Sequence, residues 1–316
     1  MHGSLSMREL YTSRAECHFG PERRPAKPQY TILGVPFDST SSYRPGQRFA
    51  PLEIRRATYN IEWNSIFVDE AYLYDVDLED IGDLAVIHGD PKATLQRLTS
   101  VIEEIVAENR IPVVIGGEHL ILYGIIEGLV KSGKRPCLVV FDAHFDLREE
   151  YLGLKMSHAT VMRRIMERFN PSIVYYVGVR AWEKAELDYA KMKKEIHYET
   201  SLGLKRIGPL NLLASVRRRL GSCEHIYVSI DMDAIDPAYA PGVANPEAVG
   251  LTPHELLLVL YGLATDERLV GVDLVEVTPP YDPSGVTSIL ASKILVETLI
   301  LNQLVRKGEK ISGIPG

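Results

Sequence analysis

The stretch Phe141-Asp142-Ala143-His144-Phe145-Asp146 is the strongest indication of the fold of this chain. It follows a short apolar run, Cys137 to Val140, which is typical of a buried parallel strand. Side chains at positions i and i+2 of a strand share a face, so we expect Asp142 and His144 to project together. The segment therefore predicts a cluster of polar side chains where a buried strand ends.

Two further segments have the same form: His225 to Val228 precedes Ser229-Ile230-Asp231-Met232-Asp233, and Ile111 to Ile115 precedes Gly116-Gly117-Glu118-His119. We expect Asp231 and Asp233 to share a strand face. The paired glycines should let the chain turn sharply, so that His119 follows its strand directly. Because ligands of open α/β sheets bind beyond the carboxyl ends of parallel strands, the three segments should meet there.

The three segments supply two histidines and four aspartates as candidate metal ligands: His119, Asp142, His144, Asp146, Asp231 and Asp233. A pair of ions roughly 3.5 to 4 Å apart, sharing carboxylates and a bridging water, uses such a set well. With four carboxylates and no cysteine, the set favours Mn²⁺ over a structural zinc, and we predict two manganese ions per chain. In the alternative interpretation each motif is a turn or a helix cap, but three such motifs would place uncompensated charge at one sheet end.

The motifs resemble those of the ureohydrolases, the family that includes arginase and agmatinase. The resemblance extends over nearly the whole chain and follows the family's order through residues 116–119, 142–146, 229–237 and 271–277. It implies a three-layer α/β/α fold with a mainly parallel sheet, and a binuclear manganese centre bound by the six residues above. It also implies hydrolysis of a guanidino compound to urea and an amine by a homotrimer or homohexamer. Within the family the chain is most similar to agmatinase, which releases putrescine and urea from agmatine.

Two residues outside the ligand set match positions that the family uses in catalysis. Glu276 follows the apolar run Val270 to Val275, where the family has the glutamate that pairs with the substrate guanidinium. His158 falls where the family has a histidine suited to protonating the departing amine. The alternatives are a salt bridge at the end of the strand for Glu276 and a residue of the helix start for His158.

The segment after Asp146 bears on substrate choice. Arginases resemble one another there in a Ser-Gly-Asn-Leu-His type segment that holds the substrate's α-carboxylate and α-amine, and residues 147–158 lack it. This difference favours agmatine. Arg148 could bind the acid of 4-guanidinobutyrate if it points inward, or it belongs to a solvated loop. Asn245, where the family commonly has a threonine, could hydrogen-bond a substrate, and Tyr43 to Phe49 resembles the family's substrate-access loop.

Other enzyme and protein classes fit less well. A metallophosphoesterase also contains Asp-x-His, but it needs a downstream Gly-Asp and Gly-Asn-His, which this chain lacks. A non-catalytic metal-binding member of the same fold stays open, as do guanidinobutyrase and arginase activities. A net charge of −7 argues against a nucleic-acid surface, and no run approaches the roughly 18 apolar residues of a membrane span.

Composition and periodicity complete the expectations. We predict one domain over residues 1–316, in the cytoplasm, with Cys17, Cys137 and Cys223 as reduced thiols. The remaining histidines should be surface, capping or structural residues: His2, His18, His88, His197, His225 and His254. Asp90-Pro91 should cap a helix, and further helices are expected over residues 157–169, 183–191, 210–220, 252–263 and 286–304. Strands are expected over 30–35, 173–179 and 269–277.

Overall fold

The computed structural model describes residues 6–22, 25–309 and 311, so His2 lies outside the described residues. The strands are β1 Thr12–Ser13, β2 Tyr30–Gly34, β3 Leu78–Leu84, β4 Ile111–Ile115, β5 Cys137–Phe141, β6 Val174–Val179, β7 Ile196–Thr200, β8 Ile226–Asp231 and β9 Leu269–Val275. The helices are α1 Met7–Tyr11, α2 Ala50–Thr58, α3 Pro91–Ala107, α4 Ile121–Lys131, α5 Val161–Phe169, α6 Lys184–Met192, α7 Ser201–Ile207, α8 Pro209–Arg219, α9 Pro253–Ala264 and α10 Val286–Arg306.

The strands form one sheet in the order β1-β3-β2-β4-β9-β8-β5-β6-β7. Only β1 is antiparallel to its neighbour, and the other pairs are parallel. The strands β4, β9, β8 and β5 are consecutive in the middle of the sheet. Their carboxyl ends therefore lie side by side at one edge, as the three motifs require.

Each face of the sheet packs against its own layer of helices. Along β5, Val139 and Phe141 pack with α8, α9 and α10, whereas Leu138 and Val140 pack with α3, α4 and α5 on the opposite face. This alternation follows from the two-residue period of a strand whose two faces are both buried. The predicted three-layer α/β/α fold with a mainly parallel sheet is confirmed.

Helix ends agree with the sequence patterns to within a few residues. Asp90 caps α3 by accepting a hydrogen bond from the Ala93 amide, and Pro91 is the first helical residue. The strand predicted over residues 269–277 ends at Val275, because Glu276 has a φ of 66° and leaves the extended conformation. Helix α10 has the length and hydropathy of a membrane span, but 72% of its most apolar window is buried inside the protein, as in a core helix.

Helix α4 was not among the predicted helices, although its buried residues Ile121, Leu122, Ile125 and Leu129 recur at helical spacing. Its two glycines bring it close to α3: a Cβ added at Gly128 would lie 2.7 Å from the Ile102 Cβ, and one at Gly124 would lie 3.1 Å from the Leu95 carbonyl oxygen. Glycine at these two positions therefore lets the helix that follows the His119 loop pack closely against α3.

The expectation of three reduced thiols is wrong for two of them. Cys137 and Cys223 form a disulfide, with their Cα atoms 6.1 Å apart, and Cys17 is free and partly buried. Cys137 begins β5 and pairs in register with Ile226 of β8, and Cys223 lies three residues before Ile226. The cysteines meet because β5 and β8 are neighbours in the sheet, which an odd cysteine count could not indicate.

Candidate metal centre

All six predicted ligands lie together at the carboxyl edge of the sheet. His119 lies in the loop after β4, three aspartate and histidine ligands lie in the loop after β5, and Asp231 and Asp233 lie at the end of β8. Five of the six are buried, and the side chain of His144 is 26% exposed. The cluster thus sits beneath the surface with His144 on its open side.

One group of donor atoms surrounds His119. Its Nδ1 lies 3.0 Å from Asp146 Oδ2, 3.2 Å from Asp142 Oδ2 and 3.4 Å from Asp231 Oδ2. These atoms come from three different loops and converge on one small volume. They form the first candidate ion site, since His119, Asp142 and Asp146 offer ligand atoms within 4.8 Å of one another.

A second group surrounds His144. Its Nδ1 lies 3.0 Å from Asp233 Oδ2 and 3.6 Å from Asp142 Oδ1, and the three residues again offer atoms within 4.8 Å of one another. Asp142 therefore contributes Oδ1 to this group and Oδ2 to the group around His119. A carboxylate shared in this way is the arrangement expected between two neighbouring ions.

The ligands are brought together by turns, and not by the strand alternation expected from the sequence. Strand β5 ends at Phe141, and Asp142 Oδ1 accepts a hydrogen bond of 2.6 Å from the amide of His144. In the same way Asp231 Oδ1 accepts one of 2.9 Å from the amide of Asp233. These short side-chain turns are typical of aspartate, whose carboxylate bonds the backbone two residues ahead.

The glycine pair before His119 also acts differently from the expectation. Neither Gly116 nor Gly117 has a positive φ. A Cβ at Gly117 would lie 1.8 Å from the Phe37 carbonyl oxygen, and one at Gly116 would lie 2.5 Å from a Val275 methyl group. The glycines are needed because neighbouring backbone passes very close, which holds the His119 loop against the loops after β2 and β9.

The donor set fits divalent cations. His119 Nδ1 and Asp142 Oδ2 are buried, and neither has a hydrogen-bond partner among the described residues. Burial raises the pKa of Asp146 to about 7, with the charge of Asp142 adding to the effect. Burial and the neighbouring carboxylates also raise the pKa of Asp231 well above its ordinary value. These raised pKa values reflect both burial and repulsion between the carboxylates, and two divalent ions would offset their negative charge.

His119 is supported on the side away from the cluster. Its Nε2 lies 3.1 Å from Ser229 Oγ, and that hydroxyl donates a hydrogen bond of 2.8 Å to Asp273 Oδ1. Burial raises the pKa of Asp273 to about 6. A hydrogen-bonded partner on the second ring nitrogen fixes the orientation of a ligand histidine, so Nδ1 is directed into the cluster.

Glu276 lies beside the first group of ligands. Its Oε1 accepts a hydrogen bond of 2.7 Å from the His119 amide, and its Oε2 accepts one of 2.9 Å from Gln47 Nε2. Burial raises the pKa of Glu276 to about 7. The positive φ of Glu276 directs the side chain away from the strand line, which is a backbone strain typical of functional positions.

His158 begins a short 3₁₀ turn ahead of α5, so the helix predicted from residue 157 starts as a 3₁₀ turn. The ring is almost fully buried, and Tyr151 packs edge-on against it with ring centroids 5.7 Å apart. Its Nε2 lies 3.3 Å from Ser42 Oγ, and its Nδ1 lies 3.4 Å from Thr40 Oγ1. Burial lowers the pKa of His158 to about 4, so the ring is neutral at pH 7.

The two residues named for substrate recognition differ in their surroundings. The Arg148 guanidinium forms an ion pair with Glu183, lies 3.7 Å from Glu186, and stacks over the Tyr151 ring at 4.8 Å. Its charge is thus already matched by acidic groups. Asn245 is partly buried in the loop before α9, and this loop is held beside Glu276 by a hydrogen bond from the Thr278 amide to the Gly242 carbonyl.

Sequence reasoning missed several residues that contact this site, among them Thr40, Gln47 and Glu118. Gln47 lies inside the segment that resembles the substrate-access loop, but only the structure shows its bond to Glu276. Glu118 was quoted within a motif without a role. No sequence pattern indicates that the side chain of Thr40 or Glu118 contacts the site, so a single sequence does not distinguish them from other threonines and glutamates.

Comparison with known proteins agrees with this geometry. The protein-family sequence model described as "Arginase family" matches residues 28–301 of this chain. An agmatinase of Bacillus subtilis is 36% identical over 270 residues, which cover 85% of this chain and 90% of the relative. An N(1)-aminopropylagmatine ureohydrolase of Thermococcus kodakarensis is 35% identical over 300 residues, covering 92% and 96%. The crystal structure of an agmatine ureohydrolase of Thermoplasma volcanium superposes with a TM-score of 0.76 at 32% identity, covering 89% of this chain and 92% of that one.

Proposed function

Because the chain belongs to the arginase family of metal-dependent hydrolases that act on guanidino compounds, we propose that it hydrolyses agmatine to putrescine and urea with two manganese ions. The observation that carries the proposal is the pair of ligand groups that share Asp142. Divalent cations held by these groups would lower the pKa of bound water towards 7 and so supply a nucleophile at neutral pH.

The residues around the cluster have separate tasks in this proposal. Glu276 would accept the flat, permanently charged guanidinium through its carboxylate, whose position is fixed by Gln47 and the His119 amide. His158, neutral at the start, would first take up a proton from water at Nε2 and would then deliver that proton, as an imidazolium, to the departing amine. The deep, largely buried position of both residues excludes water from the reacting group.

A cationic substrate suits the outer part of the site better than an acidic one. Arg148 is paired with Glu183 and would have to leave it to bind a substrate carboxylate. Glu247, whose side chain is 45% exposed, lies 3.9 Å from His144 Nε2 on the open side of the cluster. Its carboxylate is available to the distal amine of agmatine, which favours agmatine over 4-guanidinobutyrate.

A second substrate shares these features. N¹-aminopropylagmatine has the same guanidinium and a longer cationic tail, and the name of the Thermococcus kodakarensis relative specifies it. Glu183, whose side chain is 58% exposed, offers a further acidic group near the outer part of the site. Arginine fits less well, because its α-carboxylate would meet acidic groups.

Assembly and location belong to the same proposal. We expect a homotrimer or homohexamer in the cytoplasm that has no nucleic-acid or membrane partner. The disulfide does not contradict a cytoplasmic location if the source grows at high temperature, because intracellular proteins of hyperthermophiles are rich in disulfides. A chain with only four glutamines agrees with such a source.

The decisive experiment is a urea-release assay on manganese-loaded protein with agmatine, N¹-aminopropylagmatine, 4-guanidinobutyrate and arginine. The proposal expects one of the two cationic amines in first place, with agmatine leading. Arginine or 4-guanidinobutyrate in first place would replace the proposed substrate, and no urea from any of the four would overturn the hydrolase function.

A further inference from the structure

Two buried polar residues, Thr40 and Glu118, form a chain of hydrogen bonds that ends at the backbone and ring of His158. The Thr40 hydroxyl accepts a hydrogen bond of 3.1 Å from the His158 amide and lies 3.4 Å from the ring Nδ1. The same hydroxyl bonds Glu118 Oε1 at 2.6 Å, and the Thr40 amide donates to Glu118 Oε2 at 2.7 Å. Glu118 thus hydrogen-bonds both the hydroxyl and the amide of Thr40, and the Thr40 hydroxyl contacts both the amide and the ring of His158.

We infer that Thr40 and Glu118 are positioning residues for proton delivery by His158. The inference rests on the proposed function and adds two residues to it that touch neither the candidate ligand groups nor the substrate guanidinium. It accounts for the full burial of Glu118 and the near-complete burial of Thr40. A buried carboxyl group is stable only when its oxygens are bonded, and both oxygens of Glu118 are used on Thr40.

The surroundings of His158 show why contacts on Nδ1 matter for the orientation of its ring. Tyr151 covers the ring edge-on, and Ser42 Oγ lies 3.3 Å from Nε2. Rotation of the ring about its Cβ–Cγ bond would take Nε2 away from Ser42. The Thr40 hydroxyl donates its hydrogen to Glu118 Oε1, so the contact opposes that rotation when Nδ1 carries the ring hydrogen and points it at the Thr40 oxygen.

Glu118 also links His158 to the metal-binding loop. Its amide donates a hydrogen bond of 2.7 Å to the Phe37 carbonyl, and the next residue is His119. The loop after β2 therefore carries Thr40 to the same place where the loop after β4 carries Glu118. The positions of the His158 ring and of the candidate ligand His119 therefore both depend on the contact between the loops after β2 and β4.

The test begins with Thr40→Val, which removes the hydroxyl and keeps the shape. We expect kcat for agmatine to fall by about 10- to 100-fold with KM within about twofold and manganese content unchanged, as for a damaged proton-transfer group. Thr40→Ser should restore most of kcat. Thr31→Val is the matched control, because Thr31 is also fully buried but its hydroxyl has no partner among the described residues.

A double-mutant cycle separates positioning from a general effect on the fold. In a His158→Ala background, Thr40→Val and Glu118→Gln should cause little further loss, because the ring on which they act is gone. If either substitution lowers kcat by the same factor with and without His158, the inference is wrong. This outcome leaves the hydrolase function intact, since the wild-type protein still releases urea.

A crystal structure of the Thr40→Val protein gives a readout that does not depend on activity. The His158 ring should occupy one orientation in the wild type and in Thr31→Val, and a changed or divided orientation in Thr40→Val. An unchanged ring in Thr40→Val would overturn the inference. The same comparison holds if the wild-type protein proves inactive on every guanidine tested.

Discussion

His119 Nδ1 and Asp142 Oδ2 face each other at 3.2 Å, both are buried, and neither has a hydrogen-bond partner among the described residues. Two polar atoms that meet in this way without bonding point to a common third partner. Because Asp146 and Asp231 direct oxygens to the same place, this set of donor atoms fits a divalent cation.

The first prediction follows from this pair. Purified protein dialysed against manganese should hold close to two ions per chain by elemental analysis, and exhaustive chelation should abolish urea release. Asp142→Asn should reduce binding at both sites, because the carboxylate serves both ligand groups. Asp188→Asn, at an exposed helix position, is the control. Full activity after chelation would contradict the metal assignment.

The second prediction concerns Glu276. Replacement by Gln should remove most activity, because an uncharged amide no longer pairs with the guanidinium. Manganese content should stay close to the wild-type value, because Glu276 is not one of the six predicted ligands. The bond from the His119 amide to Glu276 makes the metal measurement necessary, since a displaced His119 loop would lower both quantities together.

The third prediction concerns His158. Replacement by Ala should lower kcat by roughly 10²- to 10⁴-fold with little change in KM, the range for loss of a proton-transfer group. His254→Ala, an exposed histidine at the start of α9, should leave both constants unchanged. Wild-type turnover in His158→Ala would refute the role.

The fourth prediction concerns the Cys137–Cys223 disulfide, which joins the starts of the two strands whose far ends carry Asp142 and Asp231. The bond spans 86 residues, and closing so long a loop stabilises a fold by roughly 3 to 5 kcal/mol. Replacing both cysteines by serine should lower the unfolding midpoint by roughly 5 to 8 °C, measured by calorimetry. Cys17→Ser is the control. A midpoint shift equal to the control's would show that the bond contributes nothing.

These results show which parts of the molecule the sequence could predict. The order of apolar runs indicated the layers, and the motifs identified His119, Asp142 and Asp231, because their residue types and positions after strands carry the chemistry. Strand order is not encoded in any local pattern, so the meeting of Cys137 with Cys223 could not be foreseen. Contacts made by ordinary side chains on distant loops, such as Thr40 with His158, depend on the same unseen order.

The fifth prediction is substrate choice, and it depends on how charge is distributed at the open side of the cluster. Glu247 stands next to His144, and Arg148 is held by Glu183 and packed on Tyr151. An α-carboxylate entering this region would lose its hydration without gaining a free cation. A charge buried without a partner costs on the order of 2 to 5 kcal/mol, enough to suppress arginine by about 10- to 1,000-fold or more.

We therefore expect kcat/KM for agmatine to exceed that for arginine by at least about tenfold in parallel urea-release assays. Glu247→Gln should lower kcat/KM for agmatine while leaving or raising that for 4-guanidinobutyrate, because only the cationic tail loses a partner. An equal loss on both substrates would show that Glu247 acts through His144 and not on the substrate. Conversely, a wild-type preference for 4-guanidinobutyrate that Arg148→Ala abolishes would mean that Arg148 leaves Glu183 to bind the acid, and would make Arg148 the residue that sets specificity.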